Sequence, residues 1–179
     1  MKRSYALMAA VALIAAAQPA LAQTGEALIR KVGAGAPIVN PSFPAPKDLV
    51  YKVAWDVTEG PARPEDATAG FARPANFLVM ADANGLDRKK VHLAIIVYGT
   101  AAQSLLGNDA YKAATGKDNA NIALLEALND AGVQVIVCGQ SLVKNKLPRD
   151  KLLPFVKVAT SATLARATLH AQGYATFTP

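Results

Sequence analysis

The chain has 179 residues, a formal net charge of +6, 52% hydrophobic residues and a single cysteine, Cys138. One cysteine excludes an intramolecular disulfide, so the fold must rest on its apolar core. The basic excess contains no run of arginines and no interleaved aromatics, which argues against a nucleic-acid surface and for an ordinary solvated one.

The opening residues, MKRSYALMAAVALIAAAQPALAQ, place Lys2 and Arg3 before an apolar run from Ala6 to Ala17 and lead to Ala20-Leu21-Ala22. Positive charge, an apolar run shorter than the ~20 residues of a membrane span, and small residues before a cleavage point are the three parts of an export signal. Residues 1–22 are therefore expected to be a signal peptide cleaved after Ala22, leaving a periplasmic protein with no membrane attachment. Removing 22 of the 179 residues leaves 157, and losing Lys2 and Arg3 without any acid lowers the charge from +6 to +4. That length suits one domain with one sizeable core.

From Gln23 to Asp48, four prolines and Gly33 and Gly35 predict an extended arm (residues 23–48) rather than a packed element. The GAGA within it lacks the strand before and the Lys-Ser pair after that a phosphate loop needs. A single domain is expected over 49–179. It opens with LVYKVAWDV, Leu49 to Val57, whose alternation puts Leu49, Tyr51, Val53, Trp55 and Val57 on one side and Lys52 and Asp56 on the other, a half-buried strand. Glu65 to Asn84 reads as a helix with Phe71, Ala75, Leu78 and Asp82 near one stripe, Gly85 as its stop, and Pro74 either at its start or bending it. Val91 to Tyr98 is a continuous apolar run ending at Gly99, the pattern of a strand covered on both faces. Ala101 to Lys117 is polar and shows no clear period.

Beyond it, Ala120, Leu124, Ala127, Leu128 and Ala131 recur at helical spacing, with Glu126 and Asp130 facing away and Gly132 as the stop. Val133 to Cys138 is a second buried strand. Gln140 to Lys146 predicts a short helix, Leu152 to Val158 a short strand, Ser161 to Gln172 an alanine-rich helix ended by Gly173, and Tyr174 to Phe177 a last strand. Strands alternating with helices predict an α/β three-layer sandwich, a mostly parallel sheet of about five strands with helices on both faces.

In such sheets, ligands gather beyond the carboxyl ends of the strands. Two strands end in a glycine there, at Tyr98-Gly99 and Cys138-Gly139, and this rim is the candidate site. A cysteine before a helix start meets unpaired amides that favour its thiolate, and Lys144, Lys146, Arg149 and Lys151 follow it. An inert packing cysteine is the rival reading, because free cysteine is among the most buried residue types. His92 and His170 have no ligand spacing between them, so no metal is expected, and neither Ser104 nor Ser141 has a hydrolase context.

The segment AGVQVIVCGQSLVKNKLPRDKLLPFVKVATSATLARATLHAQGY, together with KVHLAIIVYGT and ANFLVMADANG, resembles exported members of the DsrE/DsrF-like group, distant relatives of the sulfur-relay proteins DsrE and TusD. The resemblance implies a trimer or hexamer with the cysteine near a subunit interface, a persulfide carried on Cys138 for exchange with a donor or acceptor protein, and no cofactor. Many exported relatives have His-Gly where this chain has Tyr98-Gly99, and the cytoplasmic relays have arginines where this chain has VKNK. The expected site is thus Cys138 as sulfur carrier, with Gly139, Gln140, Ser141, Tyr98 and Gly99 around the sulfur. The alternative is a non-catalytic oligomer that binds a small ligand or protein through the same rim, with Cys138 as packing.

Overall fold

Runs rich in Val, Ile and Ala become strands because their branched or small side chains pack on a pleated surface covered from both sides. The computed structural model describes residues 25–178, so the expected signal peptide lies outside the described residues. In chain order the helices are α1 (Gly25–Val32), α2 (Ala72–Ala83), α3 (Asn108–Thr115), α4 (Ile122–Asp130), α5 (Gly139–Lys144) and α6 (Ala162–Ala171). The strands are β1 (Tyr51–Val57), β2 (Val91–Val97), β3 (Gln134–Cys138), β4 (Lys157–Ala159) and β5 (Ala175–Phe177), all parallel, in the order β4-β3-β2-β1-β5. Among the described residues no helix is long and apolar enough to cross a membrane.

The strand order explains the layers. From β1 to β4 the chain steps one strand at a time in one direction, and crossovers of a single hand put the intervening helices on one face. The return from β4 to β5 runs the other way, so α6 covers the opposite face. Two buried clusters follow. Val53, Val57, Leu93, Ile95, Val97, Val135 and Val137 pack on the first face with Phe71, Leu78, Leu125 and Leu128. Ala54, Ala94, Ile96, Ile136 and Cys138 pack on the second with Ala162, Ala165 and Leu169 of α6. The small alanines on both sides bring α6 close to the sheet. Ser161 caps α6 by accepting the Leu164 amide at 3.1 Å, and Gly173 at φ +86° ends it.

The structure departs from the sequence expectation at several points. Among its described residues, the stretch expected to be extended contains α1, whose Ile29 is buried in the first-face core and whose Arg30 reaches Asp82 of α2 at 3.2 Å. All four prolines lie after this helix, so only the part from Gly33 onward is irregular. The GAGA glycines serve packing: a Cβ at Gly33 would stand 2.6 Å from Val79 Cγ2 and 2.8 Å from the Ala75 carbonyl on α2. The Glu65–Asn84 helix is shorter than expected, beginning with a 3-10 turn at Ala69–Phe71. Pro74 sits in the first turn of α2, where amides have no helical partner to lose. The Ala101–Lys117 stretch holds a 3-10 turn, Gly99–Leu105, and α3. Of the Leu152–Val158 strand only β4 forms, while Leu152 makes an isolated bridge to Leu106. Asp56, expected on a solvent side, is buried because α6 closes the second face over β1.

Candidate functional site

The second-face parity of the strands (Ala54 and Asp56; Ala94, Ile96 and then Tyr98; Ile136 and Cys138) brings three chemically active side chains under the N-terminal half of α6. Cys138 closes β3 and is the N-cap of α5, with extended backbone at φ −70°, ψ 117°. Its residue exposure is 6%. The thiol makes no side-chain cap hydrogen bond. Burial pushes the thiol up. The Ser141 amide and hydroxyl and the amides of Ala162 and Gln140 outweigh it and hold the thiol below its ordinary range. Cys138 thus sits where the starts of α5 and α6 meet: it caps α5, it packs with Ala162 of α6, and it pairs in register with Ala159.

Ser141 also joins the two strand ends. Its Oγ accepts the Gly99 amide at 3.2 Å, and Asn145 Nδ2 donates to the Gly99 carbonyl at 2.8 Å. Gly99 needs its lack of a side chain: its φ is +61°, and a Cβ would meet the Thr58 carbonyl at 2.6 Å. Gln140 is exposed, and its Nε2 donates to the Thr160 carbonyl at 3.3 Å, tying α5 to the turn before α6. At Gly139 a Cβ would stand 2.8 Å from the Ala159 carbonyl, so α5 starts hard against β4.

Tyr98 packs against the cluster that holds Cys138, and its hydroxyl donates to Asp56 Oδ2 at 3.1 Å. Arg166 of α6 pairs with the same carboxylate oxygen and lies 3.4 Å from the Tyr98 hydroxyl. Burial and the Asp56 charge raise the Tyr98 phenol above its ordinary value, with Arg166 opposing. Hydrogen bonding to Asp56 raises Arg166 still further. Tyr98, Asp56 and Arg166 are thus in mutual contact at the rim.

All six expected site residues, Tyr98, Gly99, Cys138, Gly139, Gln140 and Ser141, thus stand on one rim. Of the basic residues after the cysteine, all exposed, Lys146 and Arg149 line a groove with Gly139 of the rim, and Lys144 and Lys151 do not. His92 and His170 are exposed too, and no cluster of His, Cys, Asp and Glu suited to a metal ion occurs among the described residues. Sequence reasoning missed Asp56, Arg166 and the Ala162 amide. A signal existed for the first two, an acid inside an apolar strand and the lone arginine of an alanine-rich helix. Two open grooves flank the rim: one of about 370 Å³ between α6 and the β3–β4 edge, and one of about 360 Å³ lined by Gly139, Leu142, Val143, Lys146, Leu147, Arg149 and Val158.

Residues 52–179 match the DsrE/DsrF-like family. The chain belongs to that family. Among solved structures it is similar to a protein of unknown function, MTH1491 from Methanobacterium thermoautotrophicum, with a TM-score of 0.50 and 21% identity, covering 72% of this chain and 99% of the other. At that identity the likeness shows the fold alone, and the DsrE-like sandwich is the fold found here. No curated protein matches the chain.

Proposed function

We propose that this DsrE-like protein is an exported, periplasmic sulfur carrier in which Cys138 accepts and passes on sulfane sulfur. The observation that carries the reading is the place of Cys138 at the end of β3, as the N-cap of α5 and packed against Ala162 at the start of α6; the lowered thiol there suits an anion without a histidine base, and the thiolate is the nucleophile in sulfur exchange. The Cys138 thiolate attacks the outer sulfur of a donor persulfide. A new S–S bond forms at Cys138, the donor's S–S bond breaks, and the donor leaves as a thiolate with the bonding electron pair, so no outside oxidant is consumed. The same place then holds the persulfide anion until an acceptor thiolate repeats the exchange. Gly139, Gln140, Ser141, Tyr98 and Gly99 shape the rim, and the carrier works as a trimer or hexamer. The exposed apolar side chains Val143 and Leu164, each lining one of the flanking grooves, suit a covering neighbour.

Mass spectrometry of the folded protein after exposure to a low-molecular-weight persulfide is expected to show one added sulfur on Cys138. No gain, under conditions that load a control carrier, refutes the reading.

One observation favours the rival. Cys138 is buried with Ala94, Ile96, Ile136 and Ala162, as a packing cysteine in a non-catalytic binding module would be. On that reading Cys138→Ala costs about 1 kcal/mol or more through a small cavity, and cellular activity survives.

A further inference from the structure

Arg166 follows Ala162 by four residues, so the two lie one above the other on the face of α6 that meets the sheet. Ala162 packs in the cluster that holds Cys138, and Cys138 pairs in register with Ala159, three residues before it, so the start of α6 rises beside the cysteine. One turn later, Arg166 bonds Asp56, whose exposure is 1%, and reaches the Tyr98 hydroxyl. The buried apolar residues of α6 on this face are Ala162, Ala165 and Leu169, two of them methyl groups that slide easily over a flat sheet. The ion pair is the directional contact: one guanidinium nitrogen, Arg166 Nη2, bonds both Asp56 and the Tyr98 hydroxyl, a charge-assisted bond that fixes position where alanine does not, while Nε is buried without a partner.

We infer that Arg166 is a positioning residue for Cys138: by clamping α6 to Asp56 and Tyr98 it sets the Ala162 amide against the sulfur. This rests on the reading of Cys138 as the sulfur-bearing group. The titratable groups nearest the sulfur on this face are Asp56 of β1, Tyr98 after β2 and Arg166 itself; at the other end of the face Lys52 of β1 donates to the Gln172 carbonyl at 2.9 Å and stands 5.9 Å from the ring of Tyr174. Lys157 of β4 is turned to Gln134 Oε1 at 2.9 Å, and Lys144 of α5 is exposed.

The test is the pH midpoint of iodoacetamide labelling of the native protein. The double variant Asp56→Asn/Arg166→Gln removes one charge of each sign, so the net charge beside Cys138 is unchanged while the clamp's reach is lost. Its midpoint is expected to rise by about half a pH unit or more, with labelling at pH 7 slowed about threefold. Ala162→Pro deletes the amide itself at the first helical position, where proline is tolerated and Ser161 already has extended backbone at φ −154°, ψ 161°. It is expected to raise the midpoint similarly, and the combined variant should show no further rise. An unchanged midpoint in either folded variant, or rises that add in the combination, overturns the inference. Labelling needs no sulfur donor, so a carrier that takes up no sulfur and a clamp that sets nothing are distinguishable failures.

Discussion

Arg166→Ala is expected to lower the free energy of unfolding by about 3 kcal/mol, measured by urea denaturation at neutral pH. Removing one partner of a buried pair strands the other's charge, which costs roughly 3–5 kcal/mol. The low end applies because the Arg166 side chain keeps 28% of its surface exposed while Asp56 keeps 2%. Tyr98 can donate one hydrogen bond to the stranded carboxylate but cannot neutralise it. The double variant Asp56→Asn/Arg166→Gln should lose distinctly less than Arg166→Ala, because no charge is left behind. Equal losses would mean that packing by the arginine stem, rather than the pair, holds α6.

Cys138→Ser is expected to abolish sulfur loading completely and to flatten the alkaline side of the stability profile. The sign follows from linkage. Burial alone would raise the thiol, but the Ser141, Ala162 and Gln140 donors leave its folded pKa below the ordinary value. Between that lowered value and the unfolded pKa of ~8.5, the unfolded chain binds more protons, so stability rises with pH through this window and is lost as pH falls through the folded pKa. A hydroxyl does not ionise there, so the serine variant should lack the rise. Urea midpoints measured at intervals from pH 6 to 9 check this, and parallel curves for the two proteins would contradict it.

The layers were legible in the sequence because β2 and β3 are short apolar runs closed at Tyr98-Gly99 and Cys138-Gly139, and α4 and α6 carry clear apolar stripes. Val91–Val97 and Gln134–Cys138 formed within a residue of expectation, as did the alanine-rich α6. What was hidden depends on long-range return of the chain. Alternation along Leu49–Val57 suggested one wet face, and nothing local says that a helix from residue 162 onward will cover it and bring Arg166 to Asp56. The α1 helix was masked by its neighbours: eight residues among glycines and prolines are too few to stand out, and docking on α2 and α4 is what holds them. At the site, the position of Cys138 before a helix start was readable from Cys138-Gly139. The contribution of α6 was not, because a backbone amide such as that of Ala162 leaves no mark in a sequence.

The most direct test of the account is the pH dependence of Cys138 alkylation in the folded wild-type protein, set beside the same thiol in the urea-unfolded chain. A thiolate favoured where α5 and α6 begin and reachable by small molecules predicts a lower midpoint in the folded state and labelling much faster than global unfolding. A folded midpoint at or above the unfolded one, with labelling that proceeds only as fast as the protein unfolds, would make Cys138 a packing residue and contradict the proposed carrier.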